Sequence, residues 1–130
     1  MIIDKTEITV TIPANSRFVA LARVTAASLA AELDFTVDEI SDVTVAADEV
    51  TSLVIEWAED NEIPLIQLRY QLRDDTLEME AAVETATLTA SQEMLVLDDI
   101  TRQILGAVVD AFDIREGCGR ILKRRAAVAR

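Results

Sequence analysis

One continuous stretch, residues 35–59, constrains the fold more than any other part of the chain. It reads FTVDEISDVTVAADEVTSLVIEWAE, and its apolar residues recur every three or four positions, which is the period of a helix with one buried face. Thr36 and Glu39 have the spacing of a capping box, and Phe35 and Ile40 are placed as a hydrophobic staple around it. We therefore predict a long amphipathic helix capped by Thr36. Its predicted buried face consists of Val37, Ile40, Val43, Ala47, Val50, Val54 and Trp57.

The opposite side of this predicted helix carries a row of carboxylates. Asp38, Asp42, Glu49 and Glu56 follow each other at steps of four and seven residues, so they share one side of the helix. A solvated helix face is the ordinary explanation of such a pattern. The functional alternative is a surface that binds a protein partner, and these four residues are our candidate partner-binding residues.

The composition indicates a single folded domain, residues 1–130. The chain is 51% hydrophobic and 28% charged, which is typical of a folded protein and not of a disordered one. No apolar run approaches the ~18 residues of a membrane span, and no basic segment followed by an apolar one marks a signal peptide at the N-terminus. One cysteine and no histidine exclude a disulfide framework and argue against a zinc site. We expect a cytoplasmic protein that binds no membrane and no metal.

The charges are numerous and segregated. The net charge is −12, yet residues 119–130 hold five basic residues and no acidic one. From Val24 to Leu68 there are eleven carboxylates and no Lys or Arg. Such a surface repels a phosphate backbone, which argues against a nucleic-acid partner. It attracts a basic protein, although solubility alone would also explain it.

The rest of the chain alternates between strand and helix signals. Residues 7–12 alternate as a half-buried strand, and residues 17–33 are predicted to form an alanine-rich helix. The predicted apolar side of this helix consists of Phe18, Leu21, Ala22, Val24, Ala26, Leu29 and Leu33. Asp74 and Asp75 join strands 65–73 and 76–83 into a hairpin. A third helix is predicted at 97–109, and two strands at 111–116 and 120–128 are joined by a turn at 117–119, whereas 84–91 give mixed signals. The order β-α-α-β-β-α-β-β predicts a two-layer α/β sandwich, with a mostly antiparallel sheet and about three helices on one face.

Catalytic constellations are missing from the sequence. Cys118 lies between two glycines in the predicted turn, but no histidine exists to lower its pKa or to act as a catalytic base. The adjacent acids Asp74/Asp75 and Asp98/Asp99 point apart on a strand or helix, so neither pair forms an acid/base dyad. No Walker-type loop and no GxGxxG motif is present. Taken by themselves, these residues do not predict an enzyme.

Four segments together resemble the RsbW/SpoIIAB-type anti-sigma factors, which belong to the GHKL group of ATPases. They read ITVTIPANSRFVALARVTAASLAAEL, LDFTVDEISDVTVAADEVTSLVIEWA, RDDTLEMEAAV and ILGAVVDAFDIREGCGRILKRRAAV. The resemblance implies the GHKL sandwich and two activities. Such proteins sequester a sigma factor, and many phosphorylate a serine of a STAS-domain anti-anti-sigma factor with ATP and magnesium. They also commonly form homodimers.

The nucleotide boxes that the resemblance implies are degenerate here. The first box, Glu-x-x-x-Asn, places its glutamate at Glu49, but the asparagine that would hold Mg²⁺ is Leu53, which has no oxygen to offer. The position often taken by histidine is Trp57. The next box, Asp-x-Gly-x-Gly, falls near residues 84–88, where Glu84 is the acid and both glycines are missing. The last, a Gly-x-Gly that cradles phosphates, falls at residues 98–103, which contain no glycine.

The first 105 residues contain no glycine, so no shift of the alignment restores these boxes. We therefore interpret Glu49 as a remnant of the first nucleotide box. We expect the chain to have no catalytic, cofactor-binding or metal-binding residues. Three hypotheses follow. The first is an anti-sigma factor that binds its sigma factor without ATP and without kinase activity. The second is an ATP-dependent serine kinase that acts on a STAS-domain protein. The third is a pseudo-ATPase that serves as a dimeric regulatory subunit with another partner.

Overall fold

The computed structural model describes residues 6–84 and 93–126, which form a five-stranded sheet covered on one face by helices. The element order confirms the predicted succession β-α-α-β-β-α-β-β. The strands are β1 (Thr6–Pro13), β2 (Leu65–Arg73), β3 (Thr76–Val83), β4 (Ala111–Arg115) and β5 (Cys118–Arg124). The helices are α1 (Val19–Glu32), α2 (Val37–Asp60) and α3 (Asp99–Val108), and a 3₁₀ turn, Ser16–Phe18, precedes α1.

The sheet is antiparallel throughout, with the spatial order β1-β2-β3-β5-β4. Leu68 of β2 lies opposite both Val10 and Ala81, and Ala81 lies opposite Gly119 of β5. Alternation along the strands gives the sheet one apolar and one polar face. On β2, for example, Ile66, Leu68 and Tyr70 are fully buried beneath the helices. This confirms the predicted two-layer α/β sandwich.

Helix α2 is the central element of the helical layer. Its capping box is formed as predicted: the Glu39 amide donates to Thr36 Oγ1 at 3.1 Å, and the Thr36 amide donates to Glu39 Oε1 at 2.8 Å. The helix approaches β5 very closely, because a Cβ on Gly119 would lie 2.7 Å from Val50 Cγ1. Val37, the first residue of the helix, is 83% exposed, so its predicted burial is wrong. It projects from the end of the helix, beyond the edge of the core.

Helix α1 is shorter than predicted, and its predicted apolar side is buried or partly buried except at Leu21 and Val24. The 3₁₀ turn occupies residues 16–18, because Asn15 Oδ1 accepts the Arg17 amide at 3.0 Å and tightens the entry. The buried face of α1 consists of alanines: Ala22, Ala26 and Ala30. Small side chains let α1 lie close to α2 and the sheet, and the Tyr70 hydroxyl donates to the Ala22 carbonyl at 3.0 Å. The predicted burial of Leu21 and Val24 is wrong, since they are 48% and 63% exposed.

The C-terminal elements differ from the prediction by one or two residues at most of their ends, and β5 ends at Arg124, so residues 125 and 126 of the predicted last strand are not in it. Helix α3 begins at Asp99 and not at Leu97, because Asp98 is its N-cap and accepts the Thr101 amide at 2.7 Å. The final turn is Glu116–Gly117, so Cys118 lies inside β5 and not in a turn as predicted. Gly117 has φ +73°, which is the left-handed conformation that glycine adopts most easily. Part of the predicted last strand, residues 127–128, lies outside the described residues.

Candidate functional site

A cleft of about 270 Å³ lies beside the C-terminal half of α2. One wall is α2 itself, and the other is the segment 95–98 together with the first turn of α3. A backbone hydrogen bond from Leu95 to Ile114 of β4, 3.0 Å long, and an isolated β-bridge between Met94 and Arg115 hold that segment against the sheet. The lining residues are Leu53, Glu56, Trp57, Asp60, Leu95, Val96, Leu97, Asp98 and Thr101.

Of the first nucleotide box that the family resemblance implies, only some positions lie at this cleft. Leu53, at the position of the Mg²⁺-binding asparagine, and Trp57, four residues later, both line the cleft. Glu49, the remnant glutamate, is half-buried on the same helix but is not among the lining residues. The Trp57 ring packs against Gly117, where a Cβ would lie 2.9 Å from Trp57 Cζ3. The apolar side chain of Leu53 therefore occupies the position from which the box would coordinate a metal.

The start of α3 is already capped by the chain's own carboxylate. Asp98 accepts the Thr101 amide, and this hydrogen bond holds the pKa of the Asp98 carboxyl below its usual range. A phosphate at this helix start would have to displace Asp98 and would meet its negative charge. Glu84, the acid of the second box, directly follows β3. The rest of that box, residues 85–88, lies outside the described residues.

The four candidate partner-binding residues do not form one cluster. Asp38 and Glu56 are about 27 Å apart along α2 at 1.5 Å per residue. Asp38 and Glu56 are exposed, whereas Glu49 is half-buried. Asp42 accepts a hydrogen bond from Lys123 Nζ at 3.2 Å, which commits it to an intramolecular contact. Glu56 is the member of the row that lines the cleft.

The basic C-terminal segment binds the chain's own acids and carbonyls. Lys123 Nζ donates to Asp42 and also to the Val108 carbonyl, at 2.9 Å, where α3 ends. Arg125 donates to the Leu33 carbonyl at 2.7 Å, and the Ala126 amide donates to Glu39 Oε2 at 2.6 Å. The sequence signalled an excess of basic residues here but did not identify these partners. The segment therefore connects β5 to the ends of all three helices.

The outer face of the sheet carries a second set of ion pairs. Arg120 lies 2.8 Å from Glu80 and 3.5 Å from Glu78, and Arg69 lies 3.7 Å from Glu80 and 3.4 Å from Glu7. Each pair is partly exposed and contributes little to the free energy of unfolding. The two arginines thus offset most of the negative charge of the three glutamates on this face.

Cys118 is not an activated thiol. It is half-buried in β5, and its burial together with the charge of Glu80 raises the pKa of the thiol. Among residues 6–84 and 93–126, no group of acidic, Cys or His side chains could hold a metal ion. In the same residues, no helix is long and apolar enough to cross a membrane.

Sequence comparison finds relatives of this chain among bacterial proteins named RsbW. No protein-family model matches it. It is similar to the serine-protein kinase RsbW of Bacillus cereus strains B4264 and G9842, with 32% identity over 71 residues, or 55% of this chain and 44% of the relative. The RsbW of Halalkalibacterium halodurans is 35% identical over 72 residues, with the same two shares. These relatives confirm the resemblance to RsbW. The match spans less than half of their length, so what they do as whole proteins is a proposal for this chain.

Proposed function

We propose that this chain, as a relative of RsbW, is an anti-sigma factor that sequesters a sigma factor and so regulates transcription initiation, without binding ATP and without kinase activity. The name of the matched proteins supports a role in the RsbW system. The observation that best supports the absence of ATP binding is the chemistry of the cleft. Leu53 faces it where the resemblance requires an oxygen ligand for Mg²⁺.

The charge of the cleft supports the same proposal. Glu56, Asp60 and Asp98 line it, and none of the lining residues that the structure describes is Lys or Arg. A nucleoside triphosphate carries several negative charges and needs cations or backbone amides around its phosphates. The amide of Thr101 at the start of α3 is already bound by Asp98. The lining thus opposes phosphate binding by both charge and hydrogen bonding.

Regulation without a nucleotide then needs protein–protein competition. We expect a STAS-domain antagonist to release the sigma factor by binding an overlapping surface, with no phosphate transferred. The acidic surface suits basic partners, because complementary charge accelerates encounter and favours the correct partner. Asp38, Asp42, Glu49 and Glu56 remain candidate contacts, although the bond of Asp42 to Lys123 makes it the weakest of the four. A cytoplasmic location belongs to the same proposal.

Thermal unfolding with Mg-ATP tests the nucleotide-free part. A ligand present at 100 times its Kd stabilises a fold by about 2.7 kcal/mol, which for a domain of this size raises the Tm by roughly 10 °C. We expect no shift at millimolar Mg-ATP. In parallel, tagged chain should capture a sigma factor equally well with and without Mg-ATP. A Tm increase, or capture that needs ATP, would contradict the proposal.

A serine kinase is the alternative that the names of the relatives favour, since all three are named serine-protein kinases. It predicts transfer of labelled phosphate from ATP to a STAS-domain protein.

A pseudo-ATPase dimer is the other alternative, and exposed Leu21 and Val24 on α1 offer an apolar surface for it. Light scattering measures the dimer directly, and neither alternative requires that a sigma factor be bound.

A further inference from the structure

We propose that the cleft between α2 and α3 binds a basic, apolar segment of a protein partner, one in which Lys or Arg side chains stand beside leucine-like side chains. The inference rests on the proposed function, because the segment would belong to the protein that this chain sequesters. It assigns to the degenerate nucleotide site a different ligand. Four properties of the cleft support it: its floor, its rim, its charge and its size.

The floor of the cleft is apolar and fixed. Leu53, Trp57, Leu95 and Leu97 are partly buried and pack against the hydrophobic core. Trp57 has little room to move, because its ring lies against the backbone of Gly117. Apolar side chains of a ligand would therefore meet a preformed surface and would not have to order it first.

The rim of the cleft exposes large apolar side chains. Val96 lines the cleft and is 91% exposed. Met94 and Ile100, within four residues of it along the chain, are 65% and 70% exposed. Single exposed apolar residues are common on protein surfaces, but a group beside a concave site is typical of a site that binds another molecule.

The charge of the cleft selects the class of ligand. Glu56, Asp60 and Asp98 line it without any basic side chain, so anionic ligands are repelled and cationic ones attracted. A second charged concave surface, on the outer face of the sheet, differs because Arg69 and Arg120 are paired with Glu78 and Glu80 there. The cleft beside α2 combines an apolar floor with unbalanced negative charge.

The size of the cleft favours peptide side chains over a whole cofactor. Its volume of about 270 Å³ is at or below the lower end of small-molecule sites, which span roughly 300–1,000 Å³. It lies between a long helix and the start of another, which is the setting in which amphipathic segments insert apolar anchors into a groove. We therefore name the ligand as a basic amphipathic segment with its apolar side on Trp57 and its cations toward Glu56 and Asp60.

The chain carries its own reporter for this test, because Trp57 is its single tryptophan. The probe is a short synthetic peptide of leucine and lysine arranged as an amphipathic helix, and its matched control replaces every lysine with glutamate. Titration of the full chain with the lysine peptide should change Trp57 fluorescence saturably. The glutamate peptide should leave the fluorescence unchanged.

Two double variants that lose the same charge distinguish binding at the cleft from general electrostatic attraction of the lysine peptide to the acidic chain. The double variant Glu56→Gln/Asp60→Asn should weaken binding of the lysine peptide about tenfold. The control Glu32→Gln/Asp74→Asn removes the same charge from exposed positions outside the cleft and should change the affinity less than about twofold. Val96→Ser/Ile100→Ser should weaken binding even at high salt, since apolar contacts are not screened.

The outcomes distinguish this inference from the function it rests on. Equal effects of the two charge variants, or no fluorescence response to the lysine peptide, would overturn the cleft as the binding site. A fluorescence response to Mg-ATP that the lysine peptide competes away would replace the peptide ligand with a nucleotide. Capture of a sigma factor that is unaffected by Glu56→Gln/Asp60→Asn and Val96→Ser/Ile100→Ser would keep the proposed function and reject the cleft.

Discussion

At the scale of single residues, two helices end in left-handed residues that are not glycine. Asp34 has φ +60° after α1, and Glu62 has φ +56° after α2. Each allows the next amide to reach back into the last turn: Phe35 donates to the Ala30 carbonyl at 3.1 Å, and Ile63 donates to Ala58 at 2.8 Å. These are the hydrogen bonds of a Schellman motif, in which glycine is the usual residue.

Replacement of Glu62 by glycine should stabilise the fold. Glutamate has no short polar side chain to ease the left-handed conformation, which costs about 1–2 kcal/mol for a residue with a Cβ. After the larger entropy of glycine in the unfolded chain is subtracted, we expect Glu62→Gly to raise the free energy of unfolding by about 0.5–1 kcal/mol. Urea unfolding of the two proteins measures the difference.

The control for this prediction is Glu62→Ala, which removes the same charge but keeps the Cβ. Loss of a carboxylate near the C-terminus of a helix is itself favourable by a few tenths of a kcal/mol. A gain from Glu62→Ala as large as that from Glu62→Gly would assign the effect to charge and refute the backbone explanation.

At the scale of elements, Glu39 joins the start of α2 to the end of β5. Its Oε1 accepts the Thr36 amide and its Oε2 accepts the Ala126 amide, and the side chain is buried at 9% exposure. Burial opposes ionisation of this carboxyl, but the hydrogen bonds from Thr36 and Ala126 and the nearby Lys123 charge outweigh it. The pKa of Glu39 is therefore lowered from its ordinary value of 4.5.

The stability that Glu39 contributes should depend on pH. Because its pKa is lower in the folded chain than in the unfolded one, the contribution is fully present above the unfolded pKa and is lost as the pH falls through the folded pKa. At pH 7 we expect Glu39→Gln to lower the free energy of unfolding by about 1–2 kcal/mol. Below about pH 4.5 the difference from the unmodified chain should shrink.

Urea unfolding of both proteins between pH 7 and pH 3 measures this pH dependence. Asp38→Asn is the matched control, since Asp38 lies in the same first turn of α2 but is exposed. It accounts for the general attraction of a carboxylate to a helix start. The free energy of unfolding of the Glu39→Gln variant is compared with that of the unmodified chain at each pH. If the difference between them stays constant with pH, the shape of Glu39 and not its charge is what stabilises the fold.

The sequence specifies most elements because local and long-range signals agree in them. Strands β2 and β3 lie where alternation, Pro64 and the Asp74–Asp75 turn place them. On α1 the burial of Ala22 and Ala26 agrees with the prediction, whereas the exposure of Leu21 and Val24 could not be predicted, because packing distance decides which apolar residues are buried. Two flanking glycines indicate a turn at Cys118, yet Gly119 is needed for the close approach of α2.

The candidate site was only partly predictable for a similar reason. Leu53 and Trp57 could be found from the spacing of the first box, because spacing along one helix fixes which residues share a face. On the opposite wall, Asp98 and Thr101 lie in the stretch 98–103 to which the last box was assigned. Residues 95–97 could not be found, because their place depends on hydrogen bonds to β4. The partners of Lys123, which lie far away in sequence, depend equally on the tertiary fold.

At the scale of the whole molecule, the excess of carboxylates should oppose folding. The net charge is −12, and the ion pairs of the described residues are mostly solvent-exposed pairs of small individual value. The compact chain brings like charges nearer than the unfolded chain does, which raises its electrostatic free energy. Salt shortens the Debye length from ~30 Å at 0.01 M to ~3 Å at 1 M and so weakens this repulsion.

We therefore expect the Tm to rise by several degrees between 0.01 M and 1 M sodium chloride, since about 1 kcal/mol corresponds to roughly 3–5 °C for a domain of this size. Chloride is the right anion, because sulfate would stabilise almost any fold by exclusion from its surface. Calorimetry at neutral pH measures the shift. The Glu32→Gln/Asp74→Asn variant, with two fewer negative charges, should begin with a higher Tm in dilute salt and gain less on addition of salt. A Tm that falls with salt would mean that the ion pairs around Lys123, Arg120 and Arg69 outweigh the repulsion, and that the acidic surface does not oppose folding.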